Sequence, residues 1–164
     1  MTFKQACLAA ALTLAGLGSA HADTTWAWSY TGVGVTAAGT FTTAGAALVP
    51  EDILSISGFR NGSAITGLIP LDTDPNFFYD NQFSAVGDHF TDGGMVFGVV
   101  AGAPSNVNVY FFEGAYHDLV IDGADAIDTP ITFAVSAVPE PATALALLTG
   151  LGVLGLRLRR RQQA

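Results

Sequence analysis

Oxygen-bearing side chains alternate along one short stretch of the sequence, with the spacing found in cation-binding loops. The candidate ligands are Asp72, Asp74, Asn76 and Asp80. Carboxylate and amide oxygens are the ligands that Ca²⁺ takes in proteins. An EF-hand loop also needs a glycine at its sixth position and a glutamate at its twelfth, where this sequence has Phe77 and Phe83. The pattern therefore excludes an EF-hand and leaves two interpretations, a looser calcium site or solvated turn residues.

Three aromatic residues near the start of the mature chain alternate with small or polar ones. Trp26, Trp28 and Tyr30 occupy every second position, so on a β-strand all three rings point to the same side. Such a row can form a flat platform for sugar rings, or it can fill the core of a β-protein. Outward-facing rings would favour sugar binding, and inward-facing rings would exclude it.

Candidate catalytic groups are few. His89 follows Asp88 and His117 precedes Asp118, but neighbours on a strand point to opposite faces, so neither pair is a histidine–carboxylate couple. The sequence contains no Gly-x-Ser-x-Gly, no His-Glu-x-x-His and no phosphate-binding loop. Its single cysteine, Cys7, lies in the N-terminal apolar segment. We therefore expect no enzyme, no catalytic residues and no cofactor other than the calcium already considered.

The elements that must position these residues are short strands. Runs rich in β-branched and aromatic residues recur between turn signals from Thr24 to Val135, and no amphipathic helical pattern interrupts them. About eight strands are expected, with Phe77–Phe83 as a weak additional one. The sequence predicts an all-β domain over residues 23–137, an antiparallel β-sandwich or a flattened barrel.

Asn61-Gly62 gives the clearest local signal. This dipeptide favours a type I′ turn, which joins two antiparallel strands directly. Closing the turn pairs Arg60 with Ser63 and predicts that pairing continues down both strands, as far as Leu54 opposite Ile69.

The N-terminal residues have the three parts of a secretory signal peptide. Lys4 lies in a short leading segment, and a twelve-residue apolar run follows from Ala6 to Leu17. Ala20-His21-Ala22 then supplies the small-x-small pattern that signal peptidase cleaves. Residues 1–22 are therefore predicted to be removed, so the mature chain begins at Asp23, without cysteine.

The mature domain is strongly acidic. Residues 23–137 hold thirteen acidic residues and one basic residue, Arg60, which gives a formal charge of −12. Such a surface repels nucleic acid and acidic polymers, so nucleic-acid binding is not expected.

The C-terminal residues 138–164 combine three features in a fixed order. Val138 precedes Pro139-Glu140-Pro141, whose prolines resist helix formation and keep the backbone extended. An apolar run then extends from Ala142, and as a helix over residues 142–158 it would be roughly 25 Å long. This is short for a membrane-crossing helix but sufficient. The basic tail at 157–161 would hold the end in the cytoplasm, through Arg157, Arg159, Arg160 and Arg161.

This three-part arrangement closely resembles the PEP-CTERM protein-sorting signal, whose C-terminal segment is also labelled after ice-binding proteins that carry it. The resemblance implies that exosortase, a multi-pass membrane enzyme that resembles cysteine transpeptidases, processes the chain near Pro139-Glu140-Pro141. It implies export through the inner membrane, a transient single-pass anchor and a final location at the cell surface or outside the cell. It is silent on what residues 23–137 do.

Two classes of function therefore remain for the domain. The first is a non-enzymatic structural or adhesive module in an extracellular polysaccharide layer. The second is a module that binds carbohydrate, calcium or ice through its aromatic residues, its acidic loops or its threonine-rich strands.

Overall fold

The computed structural model describes residues 23–100 and 105–139, and within them the chain forms nine β-strands and no helix. The strands are β1 Thr24–Gly32, β2 Val35–Thr43, β3 Glu51–Arg60, β4 Ser63–Leu68, β5 Gln82–Phe83, β6 Met95–Val99, β7 Asn106–Phe112, β8 Ala115–Asp122 and β9 Asp125–Ala137.

Eight of the strands close into an antiparallel barrel. Their order around the wall is β2-β1-β9-β8-β7-β6-β4-β3, and β3 pairs again with β2 to complete the ring. The two-residue strand β5 lies outside this ring and pairs with the first two residues of β3. Each of these eight strands therefore has a paired neighbour on both sides, although β3 and β4 share only the two residue pairs next to their turn.

The alternation of apolar and polar residues explains which side of each strand faces inward. Along β1 the rings of Trp26, Trp28 and Tyr30 are 8%, 3% and 1% exposed, whereas Ser29 between them is exposed. Across the interior they meet side chains such as Phe97 of β6, whose ring centroid is 6.0 Å from that of Trp28. Aromatic side chains thus form a large part of the buried core, whose removal from water stabilises the barrel.

An aromatic plug fills the end of the barrel where β1 begins and β9 ends. Phe83 is fully buried there, with ring centroids 4.9 Å from Trp26 and 4.7 Å from Phe41. Phe90 packs edge-on against Phe133 of β9 at 5.1 Å. The segment 82–91 therefore closes this end of the barrel.

The backbones of β2 and β3 approach closely where Gly39 faces Gly58. A Cβ atom added to Gly39 would lie 1.9 Å from the carbonyl oxygen of Ser57, so a side chain cannot be accommodated there. Gly58 also has φ of 144°, a conformation that L-residues rarely adopt. This glycine pair permits the close backbone approach.

The structure confirms an all-β antiparallel fold and selects the barrel, so the sandwich alternative is wrong. Asn61 and Gly62 both have positive φ, as a type I′ turn requires. The predicted hairpin pairing is wrong beyond that turn, because β3 and β4 share only two residue pairs before β4 turns to pair with β6. The weak strand at Phe77–Phe83 is reduced to Gln82–Phe83.

The two predicted apolar helices fall on residues 1–22 and 142–158, which lie outside the described residues. Within residues 23–100 and 105–139, no helix is long and apolar enough to cross a membrane.

Candidate functional site

The sorting segment begins directly at the wall of the barrel. β9 pairs with β1 as far as Ala137, which lies opposite Trp26. The next residue is still attached, because the Val138 amide donates a hydrogen bond to the Thr25 carbonyl at 2.8 Å. Pro139 follows and is exposed. The fold therefore ends immediately before the Pro-Glu-Pro motif, and no linker separates the two.

Two loops lie at this same end of the barrel. The first, residues 44–50, joins β2 to β3, and the second, residues 84–91, belongs to the aromatic plug. They are bonded to each other, since the Ala85 amide donates to the Ala47 carbonyl at 2.7 Å. Leu48, Val49 and Val86 project from them, with 71%, 65% and 62% of each side chain exposed. The chain thus leaves the barrel beside an exposed apolar rim.

A cavity of about 270 Å³ lies on the outer side of the plug, next to His89. The imidazole Nδ1 is 2.9 Å from the Ser84 carbonyl, and its ring stacks on Phe83 with centroids 5.7 Å apart. His89 also has φ of 48°, in the left-handed region. These contacts make His89 a residue that holds the loop in shape.

The predicted sugar platform is wrong for Trp26, Trp28 and Tyr30. All three rings face the barrel interior and are buried. The Trp26 indole donates a hydrogen bond to Thr43 Oγ1 at 3.0 Å inside the fold. Because the rings pack against other aromatic residues, no face of them is available to a sugar.

The four candidate calcium ligands are not gathered into one site. Asp74 accepts hydrogen bonds from Asn76 and from Asn106 Nδ2, the latter at 2.6 Å. Asp80 instead accepts from Thr91 Oγ1 at 2.6 Å and from the Gln82 amide at 3.0 Å.

Asp72 is an exposed turn residue with φ of 62°. In the part of the chain that the structure describes, no three His, Cys, Asp or Glu side chains are placed to hold a metal ion. The hydrogen bonds to Asp74 outweigh the effect of burial, which alone would raise its pKa, so the pKa of Asp74 lies below its ordinary value.

A charged network inside the barrel has no counterpart among the sequence predictions. Arg60 Nη2 donates to Asp118 Oδ1 at 2.7 Å, and Arg60 Nε donates to Asp118 Oδ2 at 2.9 Å. The Tyr30 hydroxyl donates to the same carboxylate. Burial lowers the pKa of Arg60, but its hydrogen bonds to Asp118 and the charge of Asp118 outweigh burial and raise it. Burial, followed by the charge of Asp118, raises the pKa of Tyr30 far above its ordinary value.

A second polar cluster lies on the outer wall across β7, β8 and β9. Asp128 accepts a hydrogen bond from the Tyr110 hydroxyl at 3.0 Å and lies 3.1 Å from His117 Nδ1. The Tyr110 and His117 rings stack with centroids 5.1 Å apart. Burial, then the hydrogen bond to Asp128 and its charge, raise the pKa of Tyr110 to about 12. His117 therefore has a carboxylate partner after all, although it is not the adjacent Asp118.

Sequence reasoning missed both clusters because their contacts depend on strand pairing. Arg60 and Asp118 come from strands that are distant in the sequence. Tyr110, His117 and Asp128, by contrast, come from the consecutive strands β7, β8 and β9 and meet through their register. One signal was present for His117: β8 and β9 form a tight hairpin in which Leu119 faces Asp128, so Asp128 lies diagonally opposite His117.

The remaining predicted site residues belong to export and sorting. Val138 and Pro139 lie at the barrel end as described above. The other predicted positions fall outside the described residues, namely Ala20, Ala22, Glu140, Pro141, Arg157, Arg159, Arg160 and Arg161.

Comparison with known proteins identifies the C-terminal segment by a family model. No curated protein and no solved structure matches the chain significantly. The family model of the PEP-CTERM protein-sorting motif matches residues 137–161, beginning at the last residue of β9. That motif implies an exported protein that exosortase processes and sorts to the cell surface. The chain therefore carries a PEP-CTERM protein-sorting motif over residues 137–161.

Proposed function

We propose that the chain is the precursor of a non-enzymatic cell-surface or matrix protein whose released barrel is a structural or adhesive module in an extracellular polysaccharide layer. Signal peptidase removes residues 1–22 after Ala22, and the apolar run 142–158 holds the precursor transiently in the inner membrane. Exosortase then cuts near Pro139-Glu140-Pro141. The single observation that carries this proposal is the direct junction between β9 and the sorting motif, which makes the barrel the cargo.

Charge supports a module that works outside the membrane. Nearly all basic residues of the precursor lie in the two segments that processing would remove, which leaves Arg60 in the barrel. Its guanidinium is paired with Asp118 in the interior. The barrel surface therefore carries acidic residues with little to balance them, which favours solubility and disfavours contact with anionic polymers.

One face of the barrel departs from this acidic character. Over part of β9, β1, β2 and β3 the outward side chains are small and uncharged, and we name this surface the hydroxyl face. On β3 it is bordered by Phe59, which is 60% exposed. Its members are Thr132, Ala134, Ser136, Thr25, Ala27, Ser29, Thr31, Thr36, Ala38, Thr40, Thr42, Ser55 and Ser57.

The hydroxyl face is also ordered by cross-strand contacts. Thr42 Oγ1 lies 2.7 Å from Ser55 Oγ, and Thr40 Oγ1 lies 3.1 Å from Ser57 Oγ. Hydroxyl groups and methyl groups exposed on this wall suit the hydroxyl and CH groups of a neutral sugar chain. This face favours carbohydrate binding as the second candidate function and supplies a surface for adhesion.

Co-sedimentation with the producing organism's own extracellular polysaccharide tests the proposal. The exported protein is expected to sediment with the polysaccharide, and Ser29→Asp at the centre of the hydroxyl face is expected to reduce the bound fraction. Ala124→Asp is the matched control, because it adds the same charge at the exposed β8–β9 turn. Equal binding by both variants would show that the hydroxyl face does not bind the polysaccharide. If the exported protein stays wholly in the supernatant, it does not associate with the polysaccharide, and the matrix role is contradicted.

A further inference from the structure

We propose that the apolar rim formed by Leu48, Val49 and Val86 rests on the lipid surface while the precursor is still anchored. This surface orients the barrel and presents the Pro-Glu-Pro segment at a fixed height above the membrane. The inference rests on the proposed function, because it requires an anchored precursor, but it concerns a surface that the sorting motif does not include.

The rim lies close to the point where the chain leaves the barrel. β2 ends beside β1, with Thr43 opposite Thr24, and β9 ends on the other side of β1, where Val138 bonds to Thr25. With strands about 4.8 Å apart, the loop carrying Leu48 and Val49 starts roughly 10 Å from the point where the chain leaves the barrel. The rim and the exit point therefore lie at the same end of the barrel.

The connection between the barrel and the apolar run is short. Ala142, the first residue of the apolar run, is four positions after Val138, and four residue steps of extended chain span at most roughly 14 Å. When the apolar run is in the bilayer, this end of the barrel is held at the membrane interface. Exposed leucine and valine side chains at that height meet lipid rather than bulk water.

The loops that carry the rim are supported by the packed residues beneath them. Leu48 and Val49 are more than half exposed, yet the buried residue beside them, Ala47, is 0% exposed and bonds to the loop that carries Val86. Ser84 Oγ lies 2.8 Å from the Val86 carbonyl and braces that second loop. The apolar side chains are thus carried on interconnected loops above a packed aromatic plug.

The charges at this end limit the depth of contact. Glu51 and Asp52 begin β3, and Asp88 lies in the plug segment, so carboxylates flank the rim. Since these groups oppose anionic headgroups, the contact depends on the apolar side chains and on the tether, which supplies a high effective concentration. The released barrel is therefore expected to leave the membrane.

Site-directed fluorescence on the full-length chain tests the rim. Cys7 is the sole cysteine of the chain, so Cys7→Ser gives a background for single labels. Leu48→Cys and Val86→Cys carry an environment-sensitive fluorophore on two different loops. Val33→Cys is the matched control, since Val33 is 93% exposed at the β1–β2 turn at the opposite end of the barrel. The chain is reconstituted in phosphatidylethanolamine vesicles with a minor share of phosphatidylglycerol and spin-labelled acyl chains.

The expected result is loss of fluorescence by lipid quenching at positions 48 and 86, without loss at position 33. Equal quenching at all three positions, on chains that float with the vesicles, would show that the rim does not contact lipid. The membrane anchor would still be supported by the flotation. Chains that do not float with the vesicles would contradict both the membrane anchor and the lipid contact of the rim. Cross-linking of position 48 to exosortase in cells, without quenching in vesicles, would assign the rim to the enzyme and overturn the lipid assignment.

Discussion

Arg60 and Asp118 form a salt bridge across the interior of the barrel, joining β3 to β8, two strands that are not neighbours in the wall. The side chains are 11% and 1% exposed, and the two N–O contacts measure 2.7 and 2.9 Å. The single basic residue of the mature domain therefore acts inside the fold.

Arg60→Met is expected to lower the free energy of unfolding by about 3 kcal/mol, because it leaves the Asp118 carboxylate buried without its cation. Tyr30→Phe keeps the ion pair and removes one hydrogen bond, so the expected loss is about 1–2 kcal/mol. Urea unfolding of the exported protein measures both. If Arg60→Met lowers the free energy of unfolding by less than Tyr30→Phe does, the ion pair contributes little to stability.

Gly39→Ala is expected to cost about 3 kcal/mol or more, because the new methyl group would overlap the Ser57 carbonyl where β2 and β3 approach closely. Gly34→Ala is the control. Gly34 has φ of 73° in the β1–β2 turn, but an added Cβ meets no atom there, so only the conformational cost of roughly 1 kcal/mol applies. Thermal unfolding separates the two variants, and equal losses would contradict the close approach.

Tyr110 is expected to give the barrel an alkaline limit. Its pKa is raised from 10.0 to about 12, so the folded state holds this proton more tightly than the unfolded chain does. The resulting stabilisation is complete below pH 10 and is lost as the pH rises towards 12. Ultraviolet titration should show a phenol ionising near pH 12 that disappears in Tyr110→Phe.

Asp128→Asn should move that transition to a lower pH without restoring the ordinary value, because burial is the larger cause of the shift and remains. A transition that stays near pH 12 in Asp128→Asn would show that the carboxylate has no part in it. Far-ultraviolet circular dichroism at each pH confirms that the barrel is still folded during the titration.

The sequence predicted the elements of this fold well because each strand's alternation is local. Trp26, Trp28 and Tyr30 were predicted to share one face, and they do. Whether that face pointed inward depended on closure of the barrel, which is set by pairings such as β2 with β3 and β1 with β9.

The hairpin at Asn61-Gly62 shows the limit of local reasoning. Its turn was predicted correctly, but β4 leaves β3 after two pairs and pairs instead with β6, through Ile65 and Leu68 among others. The Arg60–Asp118 pair was out of reach for the same reason, since its residues are 58 positions apart and only the ring order brings β3 and β8 together. The His117–Asp128 contact spans only 11 positions and depends on the register of the β8–β9 hairpin.

Replacing Pro139-Glu140-Pro141 with three alanines is expected to leave an uncut precursor in the membrane fraction. The three residues follow the last strand of the barrel and Val138, so this change alters the exosortase site without touching the β1–β9 pairing. Fractionation followed by immunoblotting measures it, with Ala124→Asp as a control that should be released normally. Normal release of the alanine variant would show that processing does not use the motif.

The most direct test of processing at the barrel's end is the intact mass of the exported protein. The expected chain begins at Asp23 and ends near Pro139-Glu140-Pro141, so that the apolar run and Arg157 to Arg161 are absent. An exported chain that still carries Arg159-Arg160-Arg161 would contradict processing at the barrel's end.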